Sequence, residues 1–351
     1  MRPLAHRTLG AAAALALAAT IASADSGPNH QVRQPRPIQL GTSGGNVDDV
    51  SHAFCCAGTL GSLVTDGSKQ YILSNAHVLA RVNAAAPGEA VDQPGLIDVG
   101  CQDIASDHVA LFSRSVPIDF TRGSTNTVDC AIAAVIAGTV DTKGNILDVG
   151  QVSTSPLDDP PINTSVKKSG RTTGLSTGTV TGVNGTFSVQ YQLGCGSGKK
   201  ATATYVNQVV FTNISSGGDS GSLIEENVTN CPQPIALLFA GSSTTTIGNP
   251  IRAVLSALGV SLVGCGGRPR LGADAADFGL QHAKDVQQRN AQRLMQIEGV
   301  TGTAVGRDPA TGRYKVQVYL DHDAPGLRGQ IPSFIEDLDS QIIVSGVIEA
   351  F

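Results

Sequence analysis

Between residues 38 and 267 the chain never sustains an apolar run beyond the length of a strand, because Gly, Asn, Asp and Pro interrupt it again and again. The runs at 59–64, 71–74, 131–136, 178–183, 206–212 and 235–240 are each strand-length, and several are rich in β-branched residues. That punctuation predicts a mainly β domain, a barrel or a sandwich with many tight turns. Only 251–258, near its end, spaces apolar residues as a short helix does. Glycine is abundant, with 41 residues, and charged residues make up 15% of the chain against a usual share of about 25%. With 41% hydrophobic residues a core can form, so wholesale disorder is excluded.

The flanks differ in kind. Arg2, His6 and Arg7 precede an apolar run over 9–21 that ends in Ala22-Ser23-Ala24, a small-x-small cleavage site. This is the form of a secretory signal peptide over 1–24, too short and alanine-rich for a membrane span. Export outside the cell or to a periplasm follows, with no membrane partner expected. Residues 25–36 are rich in Pro, Gln and Arg without periodicity, and read as a flexible leader or short pro-segment. The main domain is placed at 37–267, and Gly266-Gly267-Arg268-Pro269 reads as a linker to a small α+β accessory module over 270–351. In that module a long amphipathic helix is expected over 274–297, with Phe278, Leu280, Val286 and Leu294 as anchors. Strands are expected at 302–305, 314–320 and 342–348, and a helix at 331–338.

Composition removes several function classes. A net charge of −5 gives no basic excess for neutralising phosphates, so no nucleic-acid partner is expected. Aromatics at 4% and the lack of Trp weaken a stacking platform. Export permits disulfides among Cys55, Cys56, Cys101, Cys130, Cys195, Cys231 and Cys265, with at least one thiol left over and the pairing open. No Cys-x-x-Cys occurs, so neither a metal site nor a cofactor is expected.

Chemistry concentrates in three motifs. Gly217-Gly218-Asp219-Ser220-Gly221-Ser222 sets a serine in a segment free of bulky side chains, where the N–H groups of Gly218 and Ser220 can converge on a developing oxyanion. A nucleophilic serine needs a base, and His77 ends the apolar strand in Tyr71-Ile72-Leu73-Ser74-Asn75-Ala76-His77-Val78. Asp129, heading the apolar run after Thr127-Val128, is poorly solvated unless an imidazole N–H accepts its charge and is itself oriented. His52, His108, His282 and His322 are read as structural or surface groups. Cys130 is no nucleophile candidate, since it follows the acid directly.

The order His77, Asp129, Ser220 and these motifs resemble the chymotrypsin-type serine endopeptidases. That resemblance implies a double Greek-key β-barrel of two six-stranded units, with the triad in the cleft between them and a junction near 155–168. Lys168-Ser169-Gly170-Arg171-Thr172-Thr173-Gly174 is similar to the segment opening the second barrel of streptogrisin and α-lytic-protease-like secreted bacterial enzymes. Gly248-Asn249-Pro250-Ile251 and the residues through Leu262 are similar to their closing strand and helix. The whole chain, accessory module included, resembles the bacterial relatives of the plant narrow-leaf trypsin-like proteases, which implies a homo-oligomer through that module.

Departures from the family pattern carry information too. No Ile-Val-Gly-Gly sequence is present to supply a new N-terminal ammonium, so Asp219 is expected to find a side-chain cation, Lys168 first and Arg171 second. No cysteine follows His77. By the resemblance, the primary pocket is lined by Ile214 and Ser215, after Asn213, and by Ala240-Gly241-Ser242, with Thr244 nearby. No acid stands there to bind Lys or Arg, so an uncharged, small to medium side chain is expected. The function expected is a secreted endopeptidase acting on protein or peptide. A binding scaffold on the same fold is one alternative. An esterase-type acyl hydrolase is another, although its Gly-x-Ser-x-Gly elbow and Ser-Asp-His order differ.

Overall fold

The structure is a computed structural model that describes residues 29–267 and 277–351. The expected signal peptide lies outside the described residues, as do part of the linker and the start of the expected long helix. Strand residues make up 40% and helix residues 13%, so the chain is mainly β.

Two curled sheets form the body. The first joins strands in the order 62–65, 70–74, 131–135, 108–115, 90–92, 42–46 and 58–60, with Ser261–Leu262 added on the outer edge of Ser62–Thr65. Gly58–Leu60 and Ser62–Thr65 are consecutive in the chain, so this sheet closes on itself as six strands with one bent at Gly61. A Cβ at Gly61 would lie 1.9 Å from the Gly221 carbonyl oxygen. The bend therefore brings the first barrel hard against the Ser220 loop.

The second sheet closes through the pairing of Gly174–Gln192 with Lys200–Thr212, the other members being Ser165–Gly170, Leu223–Glu226, Pro234–Gly241 and Thr245–Pro250. Ile251–Leu258 forms the expected helix, ended at Gly259 in the left-handed conformation that glycine tolerates best (φ +63°).

The C-terminal part continues the second sheet. Val300–Arg307 pairs antiparallel with the same 174–192 strand, Gly302 opposite Phe187 and Val305 opposite Val183. The sheet then runs on through Tyr314–Leu320 to Leu338–Val344. The helix Phe278–Met295 packs across it, capped by the Asp277 carboxylate on the Leu280 N–H. Val286 and Leu294 are buried as expected, whereas Phe278, in the first turn, is exposed.

Two other expectations are corrected. No helix forms over 331–338: Pro332 has no N–H to give, and Glu336 at φ +56° turns Phe334–Ile335 back onto Leu338–Val344 as a tight hairpin. Residues 29–36 are anchored to the first barrel and the segment after it by side-chain contacts. Arg33 holds Asp107 through both carboxylate oxygens, His30 lies buried between the Gly41 carbonyl and Asp148, and Gln93 binds the backbone of Val32 and Gln34.

Three disulfides form: Cys55–Cys101, Cys56–Cys195 and Cys231–Cys265. Cys56–Cys195 ties the first barrel to the hairpin of the second. Cys130 is free and buried, and burial pushes its thiol pKa up, so it is held as an inert thiol.

Candidate active site

His77 sits in the one-turn helix Ala76–Leu79 directly after strand Gln70–Ser74, and Asp129 sits just before strand Ala131–Val135. Ser74 pairs with Ala131, so the antiparallel register delivers both residues to the same end of the first barrel. Asp129 is fully buried. Its Oδ2 lies 2.6 Å from His77 Nδ1 and its Oδ1 accepts the Ala76 N–H at 2.7 Å. Tyr191 O–H donates to Oδ2 at 2.8 Å, and the Asp129 N–H donates to Asn249 Oδ1 at 2.9 Å. The acid is thus fixed by groups from both barrels.

On its other side His77 Nε2 lies 2.9 Å from the backbone oxygen of Phe351. Both ring nitrogens face acceptors, and an imidazole that donates twice is the cation. Burial opposes that charge, but Asp129, by charge and hydrogen bond, and the Phe351 oxygen outweigh it, so the His77 pKa is raised above its ordinary value.

Ser220 lies between the barrels, with its carbonyl accepting the Thr59 N–H. Gly218 stands at φ +96° and Gly221 at φ +95°, conformations strained for any other residue. A Cβ at Gly218 would also meet Arg171 Nη1 at 2.7 Å. Gly217 has open space around it and no such demand. The Ser220 hydroxyl is turned to the Phe239 carbonyl at 3.2 Å. Among the described residues no hydrogen bond joins it to His77, whose Nε2 is occupied by the 348–351 segment.

Asp219 supports the loop from beneath. Lys168 Nζ lies 3.3 Å from its Oδ1, both side chains fully buried, and the carboxylate also accepts the N–H groups of Ser216, Thr172 and Thr173 and the Thr173 hydroxyl. Arg171 is not a second partner: its guanidinium pairs with Asp98 at 2.5 and 2.9 Å.

Of the residues expected to meet substrate, Ile214 and Ser215 are buried beside strand Thr245–Pro250, with Ser215 Oγ 2.6 Å from Thr246 Oγ1. Ala240 and Gly241 end strand Pro234–Gly241, and Ser242 follows at the rim. A cavity of about 140 Å³ opens beside His77, lined by Asp49, Arg81, Tyr191 and Ala350 among others. Burial pushes the Asp49 carboxyl up to about 6, against the pull of Arg81 and His77.

The roles of Tyr191, Asn249, Asp49 and the 348–351 segment at this site escaped the sequence reading. Tyr191 and Asn249 sit within ordinary strands and reach Asp129 only through the tertiary fold, so no local signal marks them. Among the described residues no three His, Cys, Asp or Glu side chains gather as a metal ion requires.

No family model matches the chain, and no curated protein matches it. Among solved structures, it is similar to Thermobifida fusca protease A at 19% identity and a TM-score of 0.43, over 65% of this chain and 99% of that one. It is similar to a glutamic-acid-specific serine protease that uses a histidine triad in substrate binding, at 23% identity and a TM-score of 0.42, over 64% and 100%. A third is Nocardiopsis protease, at 18% identity and a TM-score of 0.42, over 64% and 98%.

Proposed function

We propose that the chain is a secreted serine endopeptidase that cleaves peptide bonds through an acyl-enzyme. The observation that carries this reading is His77 held at 2.6 Å by the buried Asp129, with Ser220 on a glycine-defined turn whose carbonyl accepts the Thr59 N–H of the first barrel. In the reaction, Ser220 Oγ leaves the Phe239 carbonyl, gives its proton to His77 Nε2 and attacks the substrate carbonyl. The N–H groups of Gly218 and Ser220 take the developing oxyanion, and Asp129 holds the imidazole tautomer and stabilises the imidazolium. His77 then gives its proton to the leaving amine. Water, activated by the same imidazole, releases the acyl group.

Peptide is favoured over ester as substrate because the 239–241 backbone has an edge that no barrel strand covers, and an extended segment of the chain pairs with it. Asp219 already has a cation in Lys168, so no N-terminal cut is needed to assemble the oxyanion loop. Treatment with a fluorophosphonate, followed over hours, is expected to label the parent and spare Ser220→Ala, and a peptide library is expected to show endoproteolytic cuts. No labelling refutes the enzyme. Labelling and ester turnover without peptide cleavage refutes the endopeptidase in favour of the esterase.

A further inference from the structure

The edge that would receive substrate is taken by the chain itself. Ser345 and Gly346 both donate to the Leu320 carbonyl, the chain turns at Gly346, and residues 348–351 then enter the cleft. Glu349 pairs with Gly241 and Ala350 with Ala240, antiparallel, and the Phe351 N–H points to the Phe239 carbonyl at 3.4 Å. On the other side the Gln190 N–H donates to the Ile348 carbonyl.

We propose that 348–351 occupies the place of the acyl half of a peptide substrate, with Phe351 as the residue before the scissile bond. The cleft then selects extended peptides with an aromatic or bulky apolar residue at that position, and the segment is a built-in competitor of substrate. The inference rests on the reading of Ser220 as nucleophile and names the substrate of that same site.

Three independent contacts support it. The Phe351 backbone oxygen meets the imidazole that would serve the attack on the bond following that carbonyl. The Phe351 ring lies along Gly241, where a Cβ would come within 2.9 Å of Cε2 and Cζ, so the missing side chain makes its room. The ring packs on the apolar cluster that contains Ile214, just ahead of the Ser220 loop. A strand present only to finish a sheet has no need to place its oxygen on the one histidine that, among the described residues, pairs with a fully buried acid. The occupant also replaces the small to medium side chain expected from the sequence with an aromatic one.

A tethered segment acts at an effective concentration of about 1 mM. If the free peptide binds at about 0.1 mM, removing the segment raises substrate access about tenfold. The test compares the parent with a chain lacking Glu349–Phe351 and with Phe351→Asp, which keeps the full length. Both variants are expected to react with a fluorophosphonate about tenfold faster, and to cleave substrates with Phe before the scissile bond far better than those with Arg or Ala. Acetyl-Ile-Glu-Ala-Phe is expected to inhibit the shortened enzyme competitively. Labelling of the parent and both variants at the same rate, or no preference for Phe, overturns the proposal. A fluorescent form of that peptide, titrated into the shortened Ser220→Ala chain, separates the two readings. Binding there upholds the docking even if no variant is labelled, which sinks the nucleophile alone; no binding overturns the docking whatever the activity.

Discussion

Replacing Lys168 by Met probes the support of the oxyanion loop, and the size of the effect follows from what Asp219 retains. Lys168 and Asp219 are both fully buried, 3.3 Å apart. Burial lowers the Lys168 pKa, against the opposing pull of Asp219 and the hydrogen bond they share. Breaking such a pair from one side costs about 3–5 kcal/mol, because a charge is left in low dielectric without its partner. Asp219 would still hold four hydrogen bonds, which places Lys168→Met near the lower bound, about 3 kcal/mol. With a urea slope of about 3 kcal/mol/M, the unfolding midpoint falls by about 1 M. The measurement belongs in a Ser220→Ala background, so that self-digestion does not distort it. The double variant with Asp219→Asn removes the stranded charge and is expected to be less destabilised than the two single effects added, by about 2 kcal/mol. Additivity within about 0.5 kcal/mol would refute the pair as the reason Lys168 is there. In the active chain, loss of the pair loosens Ser216 and Thr173 and is expected to slow fluorophosphonate labelling of Ser220.

Gly218→Ala is expected to abolish turnover by about a hundredfold or more while the chain still folds, because φ +96° and the Arg171 contact force the oxyanion N–H aside; near-normal kcat counts against that role. Tyr191→Phe removes a charge-assisted hydrogen bond to Asp129 worth about 1.5 kcal/mol and is expected to lower kcat/KM about tenfold; an unchanged value would make Tyr191 a packing residue only. Glu225 is buried with neither carboxylate oxygen hydrogen-bonded, and burial raises its pKa far above the usual range, despite Lys167 and Lys168. An acid raised in the folded state gives stability below its unfolded pKa that is lost as pH rises through the folded one. Glu225→Gln is therefore expected to flatten the fall in unfolding midpoint above about pH 4.5, and an unchanged slope refutes it. His77 must be neutral to act as base, and its neighbours Asp129, Asp49 and the Phe351 oxygen raise its pKa. The acid limb of kcat/KM is expected above the ordinary histidine value of about 6.5; a midpoint below 6 refutes this.

The proposed triad was legible because each member sits in a short segment whose local composition demands an explanation: a serine among glycines, and a histidine and an acid at opposite ends of apolar strands. The barrel strands were legible for the same reason, through their length and their turn residues. The Lys168 partner of Asp219 came from motif resemblance, since nothing near Lys168 in the chain marks it as buried. What stayed hidden depends on pairing between distant segments. Gly302 reads as an ordinary strand glycine, yet a Cβ there would meet the Phe187 ring at 2.1 Å, so it is the residue that lets the C-terminal sheet join the second barrel. The role of 348–351 was hidden similarly: a strand continuing to 348 was expected, whereas the chain leaves that strand at Val344 and turns at Gly346.

This geometry also accounts for how a segment placed on His77 is compatible with the proposed enzyme. Strand 174–192 carries the second barrel, the C-terminal sheet, Tyr191 on Asp129 and Gln190 on the 348–351 segment, so the site and its occupant are registered by one rigid element. The C-terminal sheet itself is held along whole strands, and the chain after it is fixed at the Leu320 carbonyl and again at Ile348, whose carbonyl accepts the Gln190 N–H. Beyond it, residues 349–351 are held by a few backbone hydrogen bonds of about 1 kcal/mol each and by partial burial of one ring, about 2 kcal/mol. Freeing three residues returns about 1–2 kcal/mol of chain entropy each. The balance lies within a kcal/mol or two of zero, so detachment of the segment needs no unfolding of the sheet behind it. An incoming peptide that makes the same backbone pairs and adds contacts of its own is then enough to displace it.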